Sequence, residues 1–331
     1  LSARAARTVA AALVDSDMRG VGSHGVMLVP MYLDRLRAGS VSGWEEAEVV
    51  DQHGAITVLD ARHALGQLTG DQAMGIAVAR AREYGAGVTV VRHAFHFGGA
   101  YRYALAAARA GCIGIAAANT RPLMPAPGGA EAVVGNNPLA IAAPVAGGAE
   151  PIVLDMALSE AALGKIRLAA QEGREIPSNW AVDADGRPTT DPEAAIAGLL
   201  LPIGLHKGYG LALMVDVLTG VLAGGGFGRQ VNGLYADVAV PNDAAHLFIA
   251  LDLAAFGSPD AFTDRVAALA AEVTGAARAP AVERVYLPGE LAAERRAAAA
   301  RDGVALDPGT VEALSAAGVA WPESTHPGGD R

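Results

Sequence analysis

Apolar positions in this 331-residue chain fall into short runs separated by glycine, proline and polar clusters. Residues 3–15 repeat Ala and Arg at helical spacing, and Tyr32–Ala38 forms a second helical piece ending at Gly39. Ala55–Leu59 reads as a strand, and 66–84 as a helix stopped by Gly85. Gly87–Val91 is a further strand, and 99–110 a helix closed by Gly111 at its C′ position. Ile113–Ala118, Leu139–Ala143 and Ile152–Leu154 are continuous apolar runs of the kind found in strands buried on both faces. Helices are expected over 158–171 and 207–223, then a strand at Leu247–Leu251 and a helix at 260–275. Pro177–Pro202, rich in Asp, Gly, Pro and Thr, reads as an irregular surface excursion, and the polar tail after Trp321 as frayed. Strands alternating with helices predict an α/β fold without internal repeats.

Composition narrows the function classes. A chain of this length has room for a large core and two domains. The net charge of −10 argues against nucleic acid and anionic membrane surfaces as partners. No run reads as a membrane span, because the longest, Gly208–Gly226, is rich in Gly and contains Asp216. A single cysteine, Cys112, excludes an internal disulfide and fits a cytoplasmic location. Its apolar neighbours mark it as a buried structural thiol. No signal peptide is visible, and a start at Leu1 inside a helical pattern implies missing native residues.

Only two of the 25 basic residues are lysines, Lys165 and Lys207, and both adjoin glycine. A compact ammonium fits a small pocket where a guanidinium does not, so both are candidates for chemistry. Asp17–Gly25 places Ser23 and His24 between glycines, where backbone can approach a ligand and an imidazole can exchange a proton. The other reading is an ordinary turn with a surface histidine. His93–Tyr101 falls where a strand passes into a helix, a usual ligand position in α/β proteins. Its His-x-x-His spacing lacks carboxylate or thiolate company, so no metal is expected. Gly135–Ala140 is a glycine-punctuated loop whose Asn136 and Asn137 suit a carboxylate or an amide, or an elaborate turn. Asp155 ends a strand, where it either accepts from a cofactor hydroxyl or caps the next helix. His206–Gly210 opens a helix with two potential cations, a plausible anion site. The Gly-x-Gly-x-x-Gly dinucleotide fingerprint is absent, so any dinucleotide is bound by another architecture.

Taken in order, Asp17–Gly25, His96–Gly98, Asn119–Met124 with Gly128–Glu131, Gly135–Pro144, Leu154–Ala157, Asp183–Pro192, His206–Gly210 and Pro288–Glu290 resemble the malate/L-lactate dehydrogenase family of the non-Rossmann type. That family includes ureidoglycolate and sulfolactate dehydrogenases, 2,3-diketogulonate reductase and cyclic-imine-carboxylate reductases. The resemblance spans Leu1 to Leu291. It implies the family's α/β fold, with a discontinuous helical domain (1–50 with 280–331) and an NAD(P)-binding α/β domain (51–279). It implies a homodimer and reversible hydride transfer between NAD or NADP and a 2-hydroxy/2-oxo acid. The alternative is reduction of a cyclic imine carboxylate or a specialised biosynthetic oxo compound.

By matched position, His24 resembles the acid/base group, supported by Ser23, with His96 beside the reacting centre. His96, Phe97, Gly98, Gly99, Ala100, Thr120, Asp155, Met156, Ala157, His206, Lys207, Pro288, Gly289 and Glu290 resemble cofactor contacts. Tyr32 and Asn136 resemble substrate-side positions, and Leu28 stands where many relatives have a carboxylate-clamping Arg. Arg121 or Lys207 then holds the carboxylate, or the substrate is apolar or neutral there. Lys165 replaces an acid found in the imine reductases. A lysine suits a developing alkoxide, and so favours hydroxy/oxo-acid chemistry. Asn136 and Leu291 are further departures, at the substrate wall and the cofactor end.

Overall fold

A computed structural model describes residues 1–321, so the polar tail after Trp321 lies outside the described residues. The central sheet contains β1 (Glu48–His53), β2 (Ile56–Asp60), β3 (Ala86–Ala94), β4 (Cys112–Ala118), β7 (Leu139–Ala143), β8 (Ile152–Met156) and β11 (Ala244–Asp252). Two small ribbons flank it, β5 (Met124–Pro125) with β6 (Ala132–Val134), and β9 (Ala181–Val182) with β10 (Leu199–Leu200). The seven-stranded order is β1-β2-β3-β11-β4-β7-β8. Only β2 and β3 run parallel; every other neighbouring pair is antiparallel. The late strand β11 thus inserts between β3 and β4, which no dinucleotide fold built from consecutive parallel units does.

Two apolar layers sandwich the sheet. On one face α3 (Gly66–Tyr84) and α4 (Tyr101–Arg109) bury Met74, Ala77, Tyr103 and Leu105 against Leu59, Val91, Ala116 and Phe248. On the other, α5 (Leu163–Gln171) and α7 (His206–Asp216) bury Ile166, Ala212 and Val215 with Val90, Ala117 and Leu247. Alternation along β11 sends Phe248 to the first layer and Leu247 to the second, as a period of two requires. α3 comes unusually near β3: a Cβ on Gly87 would lie 2.0 Å from the Ala77 carbonyl oxygen. Cys112 is fully buried, as its neighbours predict.

A third cluster joins α1 (Ala3–Met18) and α2 (Val29–Ala38) to the domain through Val9, Leu13, Leu28, Tyr32, Leu65 and Phe95. α1 also packs on α10 (Glu290–Asp302), where Arg296 Nε donates to Asp15. The remaining helices are α6 (Pro192–Ala197), α8 (Leu253–Phe256), α9 (Pro259–Thr274) and α11 (Pro308–Ala316). Among the described residues, no helix is long and apolar enough to cross a membrane.

Several predicted elements change. The helix expected from 158 begins at Leu163, because the preceding backbone pairs elsewhere. Leu158 N–H donates to Asn136 O, Glu160 N–H to Leu201 O, and Ser159 bridges to Pro202. The helix expected over 207–223 is α-helical only to Asp216. It then widens into a π turn at Val217–Val221, where Thr219 Oγ1 donates back to Val215 O at 2.7 Å. The surface excursion at 177–202 holds β9, α6 and β10, with Ala181 fully buried. β1 was not predicted: it is an edge strand exposed along its length, so its sequence carries no apolar alternation.

Candidate active site

The Asp17–Gly25 motif forms a stapled turn. Asp17 Oδ2 accepts from Val26 N–H at 2.8 Å, and a Cβ on Gly25 would lie 1.8 Å from Asp17 Oδ1, so that position has no room for a side chain. The turn carries His24 with its Nδ1 3.0 Å from Ser23 Oγ. The ring centroid of His96 lies 5.3 Å from that of His24. His96 follows β3, and the carbonyl of Phe95 sits so close to α3 that a Cβ on Gly66 would approach it to 2.1 Å.

A relay fixes His96. Gln67 Nε2 donates to Tyr32 Oη at 2.9 Å, and Tyr32 Oη lies 2.7 Å from His96 Nδ1. An amide nitrogen can only donate, so the Tyr32 proton is free to go to Nδ1, which leaves the His96 proton on Nε2. Burial lowers the pKa of His24. Burial first, and then His24 and His246 nearby, lowers that of His96 well below the usual imidazole range. Both rings are therefore neutral at pH 7. Tyr32 is buried and its phenol is pushed up, so it stays protonated as the relay needs.

A second group gathers where β8 ends and α4 begins. Asp155 Oδ2 accepts from Tyr101 N–H at 3.0 Å, so Asp155 serves α4 and does not cap α5. Although its residue surface still meets solvent, protein surrounds the carboxylate densely, and this desolvation pushes its pKa up to about 6. Gly98 (φ +80°) and Gly99 lead into the same helix N-terminus. Pro288 and Gly289 pack on β8: Val153 N–H donates to Pro288 O at 3.2 Å. A Cβ on Gly289 would lie 2.4 Å from Val153 Cγ1. Glu290 turns back, accepting from Leu287 N–H at 2.9 Å and pairing with Arg284. Phe97 is buried and stacks on Tyr103 and His246, so it supports the loop from beneath.

A third group gathers around Thr120. Thr120 Oγ1 donates to Asn136 Oδ1 at 3.0 Å, and Thr120 N–H to Asn137 Oδ1 at 2.9 Å. Asn137 Nδ2 donates to Ala212 O on α7, so Asn137 is a fully buried tie while Asn136 faces Thr120. His206 and Lys207 stand exposed on the first turn of α7, next to the Leu158–Glu160 segment that follows Met156 and Ala157. Lys165 is exposed on the first turn of α5 and lines a cavity of about 150 Å³ with Glu175 and Trp180. A Cβ on the adjacent Gly164 would lie 4.0 Å from Ser23 Cβ, which puts α5 against the His24 turn. Lys165 makes no hydrogen bond to either imidazole among the described residues. Leu28 lies in the α1–α2 apolar cluster, 2% exposed. His93 does not join His96; its Nδ1 is 2.8 Å from Asp243 Oδ1. Among the described residues, no three His, Cys, Asp or Glu side chains are grouped to hold a metal.

Gln67, Arg35 and Asp17 are functional candidates that the motifs left without a role. Gln67 lies in an unremarkable helical segment, and only the fold brings it under Tyr32. A buried Gln within an apolar helix face was the one available signal.

The malate/L-lactate dehydrogenase family model matches residues 1–315. The chain belongs to that family. It is 36% identical over 293 residues to a malate dehydrogenase of Pyrococcus abyssi, covering 86% of this chain and 80% of the relative. It is 37% identical over 301 residues to the NAD(+)-dependent ureidoglycolate dehydrogenase of Escherichia coli K12, covering 91% and 85%. The solved sulfolactate dehydrogenase of Methanocaldococcus jannaschii superposes with a TM-score of 0.88 at 35% identity, covering 94% and 89%. The mixed sheet with its inserted β11 is thus the family's own fold, and the missing glycine fingerprint is consistent with it.

Proposed function

We propose that this protein catalyses reversible hydride transfer between NAD or NADP and a 2-hydroxy/2-oxo acid, with His24 as the acid/base. The observation that carries the reading is the pair of imidazoles, His24 and His96, with ring centroids 5.3 Å apart, His24 beside Ser23 and His96 held by the Gln67–Tyr32 relay. The residues suit a nicotinamide cofactor. Among the described residues Asp155 has a single hydrogen-bond donor, and a cofactor hydroxyl would supply the second that a desolvated carboxylate lacks. His96–Ala100, Thr120, Asp155–Ala157, His206, Lys207 and Pro288–Glu290 would hold it. When bound, it supplies or accepts the hydride.

In the oxidative direction neutral His24 takes the hydroxyl proton on Nε2, because Ser23 occupies Nδ1. His96 Nε2–H donates to the same substrate oxygen as negative charge develops, and the Lys165 ammonium adds a positive field from α5. Leu28, packed among apolar side chains, offers the substrate carboxylate nothing. Arg121 beside Thr120 takes that role, and Asn136 closes the wall. The protein acts as a homodimer, supported by an exposed apolar stripe of Leu211, Met214, Leu218, Val221 and Leu222 from α7 through the π turn.

The test is a fluorescence titration with NADH and NADPH, followed by mixing each complex with a panel of 2-oxo acids and cyclic imine acids. Nicotinamide oxidation by an oxo acid is expected. His24→Asn should lower kcat by about 10²–10⁴-fold with nucleotide binding retained. Turnover of cyclic imines alone would favour the imine-reductase reading. Wild-type kcat in His24→Asn would remove the acid/base assignment.

A further inference from the structure

Arg35 is fully buried on α2, yet no carboxylate lies within ion-pair distance of it among the described residues. Its guanidinium donates instead to main-chain carbonyls of one loop. Nε donates to Leu234 O at 2.9 Å, Nη2 to Gly233 O at 3.0 Å and Nη1 to Val240 O at 2.9 Å. Nη1 also reaches Ser40 Oγ at 3.2 Å. The Asp237 carboxylate in the same loop favours the cation only from beyond ion-pair distance, so burying Arg35 is costly, and an apolar side chain would fill the same space without that cost. The planar fork has one property an apolar residue lacks: it fixes three carbonyls at once in a defined geometry.

The loop it holds, residues 231–240, has no strand or α-helix of its own, and Tyr235–Val240 are exposed. Asn232 and Asn242 close its base, where Asn232 N–H donates to Asn242 O at 2.8 Å and Asn232 Nδ2 to Pro241 O at 2.9 Å. Near its start, Gly233 lies beneath Arg121. A Cβ there would be 2.8 Å from Arg121 Cδ and 3.3 Å from Nε, so any side chain at 233 would displace the arginine from its present course across the loop. The next residue, Leu234, packs against the apolar cluster that contains Tyr32 and Leu28. Arg35 itself stands 5.9 Å over the Phe95 ring, which meets Tyr32 edge-on at 5.3 Å. One buried side chain therefore touches both the wall behind His96 and the loop under Arg121.

We propose that Arg35 is a positioning residue for substrate recognition: its fork holds the 231–240 loop so that Gly233 seats Arg121 at the His24–His96 cleft, where Arg121 binds the substrate carboxylate. The proposal rests on the reading of Arg121 given above and adds what keeps that arginine in place. Arg35 explains how the chain holds a carboxylate with Leu28 where relatives have an arginine.

Arg35→Lys keeps the charge and loses the fork. Steady-state kinetics should show KM for the 2-oxo acid rising about tenfold or more, kcat within about threefold, and NAD(P)H affinity by fluorescence unchanged. Gly233→Ala leaves Arg35 intact but displaces Arg121, and should give the same split. Combining Arg35→Lys with Arg121→Met should be no worse than Arg121→Met alone, since both remove one interaction. If Arg121→Met leaves KM unchanged, the carboxylate reading of Arg121 fails and this proposal fails with it. If Arg121→Met raises KM while Arg35→Lys and Gly233→Ala do not, the Arg35 proposal alone is overturned. A parallel fall in kcat and cofactor affinity would make Arg35 merely structural, and also overturns it. Should Arg35→Lys not fold, Gly233→Ala decides.

Discussion

Asp155 shows at the scale of one residue how surrounding a carboxylate with protein costs stability. Its pKa rises from 3.8 to about 6 through desolvation, against a single compensating N–H donor. Between those values the folded state binds more protons than the unfolded one, so the stabilising protonated form is lost as pH rises through about 6. Asp155→Asn removes the charge and keeps an acceptor for Tyr101 N–H. The apo-protein should then gain in Tm at pH 8, with the gain shrinking toward pH 4, while NAD(P)H affinity falls. Scanning calorimetry at the two pH values with a nucleotide titration checks this; an unchanged affinity would remove Asp155 from the cofactor site. His24 and His96 have the opposite sign. Their folded pKa values lie below 6.5, so they disfavour the fold as pH drops beneath that value, in wild type and variant alike.

At the scale of an element, the approach of α3 to β3 is set by what glycine omits. The Ala77 carbonyl occupies the space a Gly87 side chain would need, and this closeness also brings the Gly66 end of the helix against the chain leading to His96. Gly87→Ala should cost about 1–3 kcal/mol through overpacking. Gly75 is exposed in the same helix with nothing within 4 Å of a Cβ, so Gly75→Ala should add about 0.5–1 kcal/mol. Urea unfolding of both variants measures the contrast, and equal effects would refute the packing account.

At the scale of the molecule, an exposed apolar stripe runs along α7 and its π turn, with Lys207 at its start and Asp216 turned inward to Asn119 at 2.9 Å. The homodimer proposed above would cover that face. Leu218→Glu should therefore dissociate the proposed dimer, read as a monomer in sedimentation velocity. Because α7 also ties Asn137 through the Ala212 carbonyl, activity should fall with dissociation. A variant that sediments as the wild type would place the interface elsewhere.

The α/β class, most buried strands and the helix ends at Gly39, Gly85 and Gly111 were legible in the sequence, because apolar runs and left-handed glycines act locally. Ser23, His24, His96 and Asp155 stood out in the sequence only as candidates, the first three by nearby glycines and Asp155 by its place at the end of a strand. The exposed edge strand β1 was not legible, since it buries nothing and keeps no alternation. Nor was the extended start of 158–162, where pairing with Asn136, Leu201 and Pro202 overrides helical propensity. The Gln67–Tyr32–His96 relay joins residues 35 and 64 positions apart, and the Arg35 latch spans 198 to 205. Local pattern determined which residues could do chemistry. Long-range packing alone decided which of them meet, because a hydrogen bond across such separations exists only once the cores that carry its partners have closed.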